Sequence, residues 1–165
     1  MTDVAPADLA VVERQLGRAP RGVVAVAHRC PCGAPDVVRT ASRLPDGTPF
    51  PTTYYATCPR LTGAVSTLEG SGLMRAMNAR LASDEGLAAG YGAAHLAYLA
   101  ARDELGRVPE IDGVSAGGMP TRVKCLHVLV AHALAAGPGV NPLGDEALAA
   151  VPSWWTTNPC SQEEP

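Results

Sequence analysis

The residues with the clearest chemical potential are the cysteines, of which the chain of 165 residues has five. Cys30 and Cys32 flank a proline in a Cys-Pro-Cys-Gly turn, Cys58 precedes Pro59, and Cys125 opens a long apolar run. Two thiols one residue apart cannot easily form a disulfide with each other, but both can bind a metal. We therefore predict that four cysteines together hold a zinc ion or an iron–sulfur cluster, namely Cys30, Cys32, Cys58 and Cys125.

Two other interpretations of these cysteines stay open. Structural zinc sites usually place two to four residues between paired cysteines, so a Cys-x-Cys spacing matches them less well. Ordinary buried thiols are common in protein cores, and a redox or catalytic cysteine would also account for a thiol in such a turn. Cys160 lies in the carboxy-terminal segment, and we interpret it as incidental.

Two histidines, His127 and His132, follow Cys125 in the same apolar run. On an ideal helix His132 lies about 10 Å along the axis from Cys125, and His127 points about 200° away from it. At most one of the three is therefore expected in any single site, unless the helix begins later in the sequence. Each histidine is interpreted first as a hydrogen-bonded core residue. His28, just before the Cys-Pro-Cys-Gly turn, is the best substitute if one cysteine is not a ligand.

A second candidate site is cationic. Arg122 and Lys124 follow Gly117-Gly118 at the expected start of a helix, where unpaired backbone N–H groups and the helix dipole favour an anion. Arg29, beside the cysteine turn, could face the same space. These three residues predict a site for a phosphate or carboxylate group, although basic residues near a helix start are also often solvated or paired with acidic side chains.

The elements that must position these residues are predicted from apolar patterns and turn formers. Residues 120–136 read as a helix that is apolar nearly all round and therefore buried, with Pro120 in its first turn and Gly137 at its end. Further helices are predicted over residues 6–18, from Ser66 to about residue 81 through a capping-box pattern, from Ser83 onward, and over residues 145–150. Three β-rich runs, residues 22–27, 36–41 and 52–57, predict strands.

The expected architecture is an α+β fold. A small three-stranded antiparallel sheet with a cysteine-bearing hairpin packs on a helical carboxy-terminal half that has one buried central helix. We expect one domain over residues 1–151, followed by a carboxy-terminal tail over residues 152–165.

Composition excludes several classes of function. The net charge of −3 gives no electrostatic reason to expect nucleic acid or an anionic membrane as a partner. The first twenty residues lack the pattern of a secretory signal, and no apolar run is long enough to span a bilayer, so we expect a soluble cytoplasmic protein. Walker A, dinucleotide-binding, nucleophile-elbow and HExxH motifs are all absent from the sequence.

Four sequence blocks resemble a known family. They are His28-Arg-Cys-Pro-Cys-Gly, Asp46-Gly-Thr-Pro-Phe-Pro-Thr, Thr57-Cys-Pro-Arg-Leu and the whole of residues 117–145. Over about residues 8–150 the chain resembles the actinobacterial family catalogued as domain of unknown function five-hundred-and-one. The resemblance implies no particular activity. It does imply genes placed beside those of a septum-formation initiator and an exopolyphosphatase-type phosphatase, and hence a link to polyphosphate or cell division.

These observations support three hypotheses of function. The first is a metal-binding protein with a structural or regulatory role. The second is an enzyme or ligand-binding regulator that acts on a phosphate-bearing small molecule. In it Arg122 and Lys124 hold the anion, and a cysteine-bound metal or His127 supplies acid–base or Lewis-acid help. The third is an adaptor for a protein partner, which an exposed Trp154-Trp155 pair in the tail could bind.

Overall fold

The computed structural model describes residues 4–156. Its amino-terminal part contains helix α1 (Pro6–Leu16) and strands β1 (Val23–Arg29), β2 (Pro35–Thr40) and β3 (Tyr54–Ala56). The strands form one antiparallel sheet in the order β1-β2-β3. The Cys-Pro-Cys-Gly turn joins β1 to β2, as predicted, and its amide groups are used locally: the Gly33 N–H donates to the Cys30 carbonyl oxygen at 2.8 Å.

The rest of the described chain is mainly helical. It comprises α2 (Pro59–Glu69), α3 (Leu73–Ser83), α4 (Glu85–Asp103), α5 (Leu126–Ala136) and α6 (Pro142–Ala150), with a 3₁₀ turn at Pro109–Ile111. The predicted α+β class is therefore confirmed. Within residues 4–156, no helix combines the length and the apolar character needed to cross a membrane.

The sheet has a different partner on each face. On one face, Val12 of α1 packs with Val23 and Val38 in a small apolar cluster. On the other face, Tyr54 and Ala56 pack against the main core, which is built around α5. Because successive residues of a strand point to opposite faces, β3 contributes to both sides of the sheet.

Helix α5 is the predicted buried helix. Six of its eleven residues are buried, and Gly137 ends it with a positive φ of 85°. Its contact with α6 is very close at Gly144. A Cβ atom there would overlap the Leu129 carbonyl oxygen and lie 3.1 Å from the Ala133 Cβ atom. The absence of a side chain at Gly144 is what lets these two helices meet.

The predicted start of this helix is wrong. Instead of beginning at Pro120, α5 begins at Leu126, and residues 117–125 form a compact loop. Gly118 has a φ of 96°, and a Cβ atom at this position would lie 2.6 Å from the Arg122 carbonyl oxygen. The chain thus folds back on Gly118, which a helix starting at Pro120 would not allow.

The predicted helix from Ser66 to about residue 81 is also wrong in its bounds. Helix α2 already begins at Pro59, so Ser66 lies inside it and Glu69 is its last residue. Gly72, with a φ of 86°, separates α2 from α3. By contrast, the helix predicted from Ser83 onward corresponds to α4, which begins at Glu85, and the Asp84 carboxylate caps it by accepting the Leu87 N–H at 3.0 Å.

The first residues of the predicted tail pack on the domain. Trp154 is 8% exposed and belongs to the main core, and its ring meets that of Trp155 edge to face at 4.7 Å. The expected exposure of the pair is therefore wrong, because Trp154 is buried and Trp155 is partly buried against the same core. Cys160 lies outside the described residues.

Candidate functional site

Three side chains with metal-binding or acid–base chemistry meet where α2 ends and α5 begins. Glu69 is the last residue of α2, Cys125 is the residue that precedes α5, and His127 lies in the first turn of α5. Each offers one ligand atom, and these atoms lie within 4.8 Å of one another. In the part of the chain that the structure describes, this is the only such group of three or more histidine, cysteine or acidic side chains.

The late start of α5 is what allows Cys125 and His127 to meet. Cys125 has extended backbone angles, φ −148° and ψ 112°, whereas His127 is helical. The angle of about 200° that an ideal helix would place between their side chains therefore does not apply. This is the exception foreseen from the sequence, in which a later helix start brings two of the three residues together.

The Glu69 carboxylate joins the two helices. Its Oε1 atom accepts the Leu126 N–H at 2.8 Å and lies 3.0 Å from His127 Nδ1. The first N–H groups of a helix have no partner within the helix and attract negative charge. Glu69 thus supplies, from within the chain, the anion that the start of α5 favours.

The other ring nitrogen of His127 is held by α2. Its Nε2 atom lies 3.1 Å from the Thr62 carbonyl oxygen, which can only accept a hydrogen bond. The Ser66 hydroxyl, 3.3 Å away, itself donates to the Thr62 carbonyl and can accept from Nε2. Nε2 therefore carries a proton, and Nδ1 is the nitrogen that faces Glu69.

Two neighbours stabilise the charged form of this imidazole. A hydrogen bond with the Cys125 side chain, helped by the Glu69 carboxylate, raises the pKa of His127 to about 9, although partial burial opposes the charge. A divalent cation would replace the proton on Nδ1 and would be stabilised by the same neighbours. One nitrogen, one sulfur and one carboxylate oxygen form a donor set that suits zinc.

The site opens on one side to a cleft of about 520 Å³. Cys125 and His127 line this cleft, together with Thr62 of α2, Gln15 of α1 and the edge of β3 around Ala56. A metal bound by the three side chains would therefore keep a coordination position that water or another ligand can reach.

The structure does not bring the four predicted cysteine ligands together. Only Cys125 belongs to the group described above. Cys30 and Cys58 are buried in the main core, whereas Cys32 is exposed on the hairpin, where its N–H lies 3.5 Å from the Cys30 sulfur. Metal binding by all four cysteines stays a prediction.

Two of the three predicted anion-binding residues directly precede α5, and the third lies at the end of β1. Arg29 pairs with the Asp8 carboxylate at 2.6 Å. Arg122 and Lys124 are exposed in the loop before α5, and the Arg122 carbonyl oxygen accepts the Tyr91 hydroxyl at 2.9 Å. The Glu69 carboxylate already accepts the first N–H group of α5, that of Leu126. Anion binding by these residues stays a prediction.

His132 is a core histidine. The Asn141 side-chain oxygen accepts the Gly144 N–H at 2.9 Å, which turns the Asn141 amide nitrogen toward His132. This nitrogen lies 3.2 Å from His132 Nδ1. The imidazole therefore accepts this hydrogen bond and is neutral. It stacks on Tyr54 and meets Tyr98 edge to face, with ring centroids 5.9 and 5.0 Å away. Burial lowers the pKa of His132 to about 4.

This buried imidazole predicts a loss of stability in acid. Between pH 6.5, its ordinary pKa, and about 4, the unfolded chain binds a proton that the folded chain does not. The free energy of unfolding should therefore fall as the pH is lowered through this window, by on the order of 3 kcal/mol in total. Urea unfolding from pH 7 to pH 4.5 measures the effect. In a His132→Gln variant this slope should be much smaller, and equal slopes in the two proteins would contradict the assignment.

His28 lies outside the three-residue group. Its Nδ1 atom is 2.7 Å from the carboxylate of Asp36, which is fully buried. Burial raises the pKa of Asp36, and the hydrogen bond with His28 opposes this change. His28 therefore pairs with a buried carboxyl group.

Sequence reasoning missed Glu69 and ranked His127 as a core residue. A signal for Glu69 was present, because Pro59 can occupy the first turn of a helix, and Gly70 and Gly72 can end it. The helix would then span residues 59–69 and put Glu69 at its end. For His127 the signal was Gly117-Gly118, which is more typical of a turn than of a helix start.

Comparison with known proteins identifies a family. Residues 26–149 match the family described as "Protein of unknown function (DUF501)", and this range includes all three residues of the site. No curated protein and no solved structure gives a significant match. Since the match spans more than half of the sequence and agrees with the resemblance noted above, the chain belongs to the DUF501 family.

Proposed function

We propose that this protein binds one divalent metal ion, zinc by preference, through Glu69, Cys125 and His127. The observation that carries the proposal is the convergence of their three ligand atoms within 4.8 Å. The hydrogen bond from His127 Nε2 to the Thr62 carbonyl supports it further. Metal-binding histidines commonly donate their second ring N–H to such an oxygen, which orients the ring and fixes its tautomer.

Zinc is favoured over an iron–sulfur cluster by the donor set. Clusters are held mainly by cysteine thiolates, whereas this group has one thiol beside an imidazole and a carboxylate. Structural zinc sites usually have four protein ligands, and catalytic ones have three and an exchangeable position. With three protein ligands beside an open cleft, the site has the pattern of a zinc ion that can exchange a ligand. A regulatory or catalytic use is therefore favoured over a purely structural one.

The test is metal content and metal-dependent stability of the full-length protein. We expect one zinc ion per chain after loading and dialysis, and a lower melting temperature after treatment with a chelator, because a ligand that binds only the folded state stabilises it. Substoichiometric zinc and an unchanged melting temperature would contradict the proposal.

The zinc content of a cysteine variant distinguishes this site from a site made of four cysteines. Cys32 is exposed and lies outside the three-residue group. Under our proposal a Cys32→Ser variant keeps its zinc, whereas a site formed by Cys30, Cys32, Cys58 and Cys125 would lose a ligand. Loss of zinc from Cys32→Ser would therefore contradict the proposed ligand set.

A further inference from the structure

The outer edge of β3 presents backbone groups that the sheet does not use. The Thr40 N–H donates to Thr53, and the Thr57 N–H donates to Asp36. In an antiparallel pair, residues whose N–H and C=O groups face the neighbouring strand alternate with residues whose groups point away from it. The backbone groups of Tyr54 and Ala56 therefore point away from β2, toward the open side of the strand.

Ala56 is the clearest example. None of the hydrogen bonds found among residues 4–156 uses its N–H or its C=O group. The Tyr54 C=O group is likewise unused, whereas the Tyr54 N–H lies 3.4 Å from the Tyr98 hydroxyl. One donor and two acceptors thus lie along this edge at the spacing of a strand, ready to pair with another backbone.

The cleft beside the candidate metal site runs along this edge. Leu16 and Gln15 of α1 line one side, and Val128 of α5 lines the other. The Gln15 amide is already engaged, because it accepts the Thr57 hydroxyl at 2.7 Å and donates to the Pro35 carbonyl at 2.8 Å. Among the described residues that line the cleft, none is Asp, Glu, Lys or Arg.

We propose that this cleft binds an extended, uncharged peptide segment, which pairs with β3 as a fourth strand. Addition of a strand to an open sheet edge is a recurring mode of peptide recognition, in which backbone hydrogen bonds supply affinity. The lining holds no Lys or Arg, and both ring nitrogens of His127 already face Glu69 and the Thr62 carbonyl oxygen, so the cleft offers few donors for a phosphate group. A single extended segment is favoured over a second copy of the sheet, because residues of α1 and α5 line the cleft on either side of this edge.

This inference goes beyond metal binding and can be tested separately from it. Cys125 and His127 line the same cleft, so a bound peptide would pass the open coordination position of the proposed metal. Backbone pairing with β3 does not itself require a metal. Peptide binding should therefore persist in metal-free protein, and failure of one proposal does not imply failure of the other.

The test uses the full-length protein and a display library of random heptapeptides that lack Asp, Glu, Lys and Arg. We expect selected peptides, resynthesised with blocked ends, to bind in solution by calorimetry. Methylation of alternate backbone nitrogens in these peptides should weaken binding by about tenfold or more, since each methyl group removes a backbone donor. Methylation at the intervening nitrogens, which point away from β3, should have little effect.

An Ala56→Pro variant tests the protein side of the same contact. Proline removes the outward N–H of residue 56 and leaves the hydrogen bonds between β2 and β3 intact. Edge strands tolerate proline at positions whose N–H points away from the sheet. We expect about tenfold weaker binding of the selected peptides and an unchanged circular dichroism spectrum, which shows that the variant is folded.

Two results would overturn the proposal. One is failure of the library to yield any peptide that binds in solution. The other is equal affinity for peptides methylated at either set of nitrogens. If Ala56→Pro fails to fold, the comparison between the two methylated peptides decides the question by itself.

Discussion

Replacing Cys125 with serine should lower the zinc affinity of the protein at least roughly 100-fold. Loss of an outer hydrogen-bond partner of a metal ligand costs about 10- to 100-fold, and loss of a ligand itself should cost more. Serine keeps the size of the side chain and removes the thiolate, which is the stronger zinc ligand. Competition with a chromophoric chelator measures the affinity.

Two further substitutions separate the roles within the site. Glu69→Gln keeps an oxygen that can accept the Leu126 N–H but removes the negative charge, so it should weaken zinc binding with little effect on folding. His127→Gln should weaken zinc binding as strongly as Cys125→Ser. Wild-type affinity in both Cys125→Ser and His127→Gln would exclude the proposed ligands.

The largest expected effect on stability follows from Gly144→Ala. A Cβ atom at this position would overlap the Leu129 carbonyl oxygen, and both groups belong to packed helices. Relief requires α5 and α6 to move apart across the core, at a cost of about 3 kcal/mol. For a domain of this size the melting temperature should fall by roughly 6–12 °C.

A matched control is Gly63→Ala. Gly63 lies inside α2, and a Cβ atom there would meet nothing within 4 Å. Alanine has the higher helix propensity, so this substitution should stabilise the protein by about 0.5–1 kcal/mol. Urea unfolding of the two variants should thus give changes of opposite sign. If Gly144→Ala is as stable as the wild type, the described contact between α5 and α6 is wrong.

Much of the fold was predictable because it depends on local patterns. The cysteine turn between two β-branched runs indicated the hairpin, and the apolar run ending at Gly137 indicated a buried helix. The start of α4 near Ser83 was recognisable because its cap, made by Asp84, lies within the same short segment. Each of these features needs only neighbouring residues to be identified.

The candidate site was not predictable in the same way, because it depends on contacts between distant residues. Glu69 and Leu126 are 57 positions apart, yet the Glu69 carboxylate caps α5. Pro120 and Leu126 both offered acceptable helix starts locally, and the Gly118 turn with the cap from Glu69 selected the second. The position of the helix start decides the direction of the Cys125 side chain. It therefore also decides which residues could bind the same metal ion.

The cysteines illustrate the same limit. Their number and turn positions favoured a shared metal, but spacing in the sequence does not say where a strand end and a helix start lie in space. In the structure Cys58 is wholly buried at the start of α2, whereas Cys125 is partly exposed beside the cleft. Among the four predicted cysteine ligands, only Cys125 belongs to the group of possible ligands found in residues 4–156, and its partners there are a histidine and a carboxylate.

X-ray absorption at the zinc edge of the loaded full-length protein tests the ligand set most directly. The proposed site predicts one sulfur at about 2.3 Å and the remaining ligands as nitrogen or oxygen at about 2.0–2.2 Å. The Cys125→Ser variant, loaded at high zinc concentration, should show no sulfur. Three or four sulfur ligands per zinc ion would contradict the account and would point instead to a site shared by Cys30, Cys32, Cys58 and Cys125.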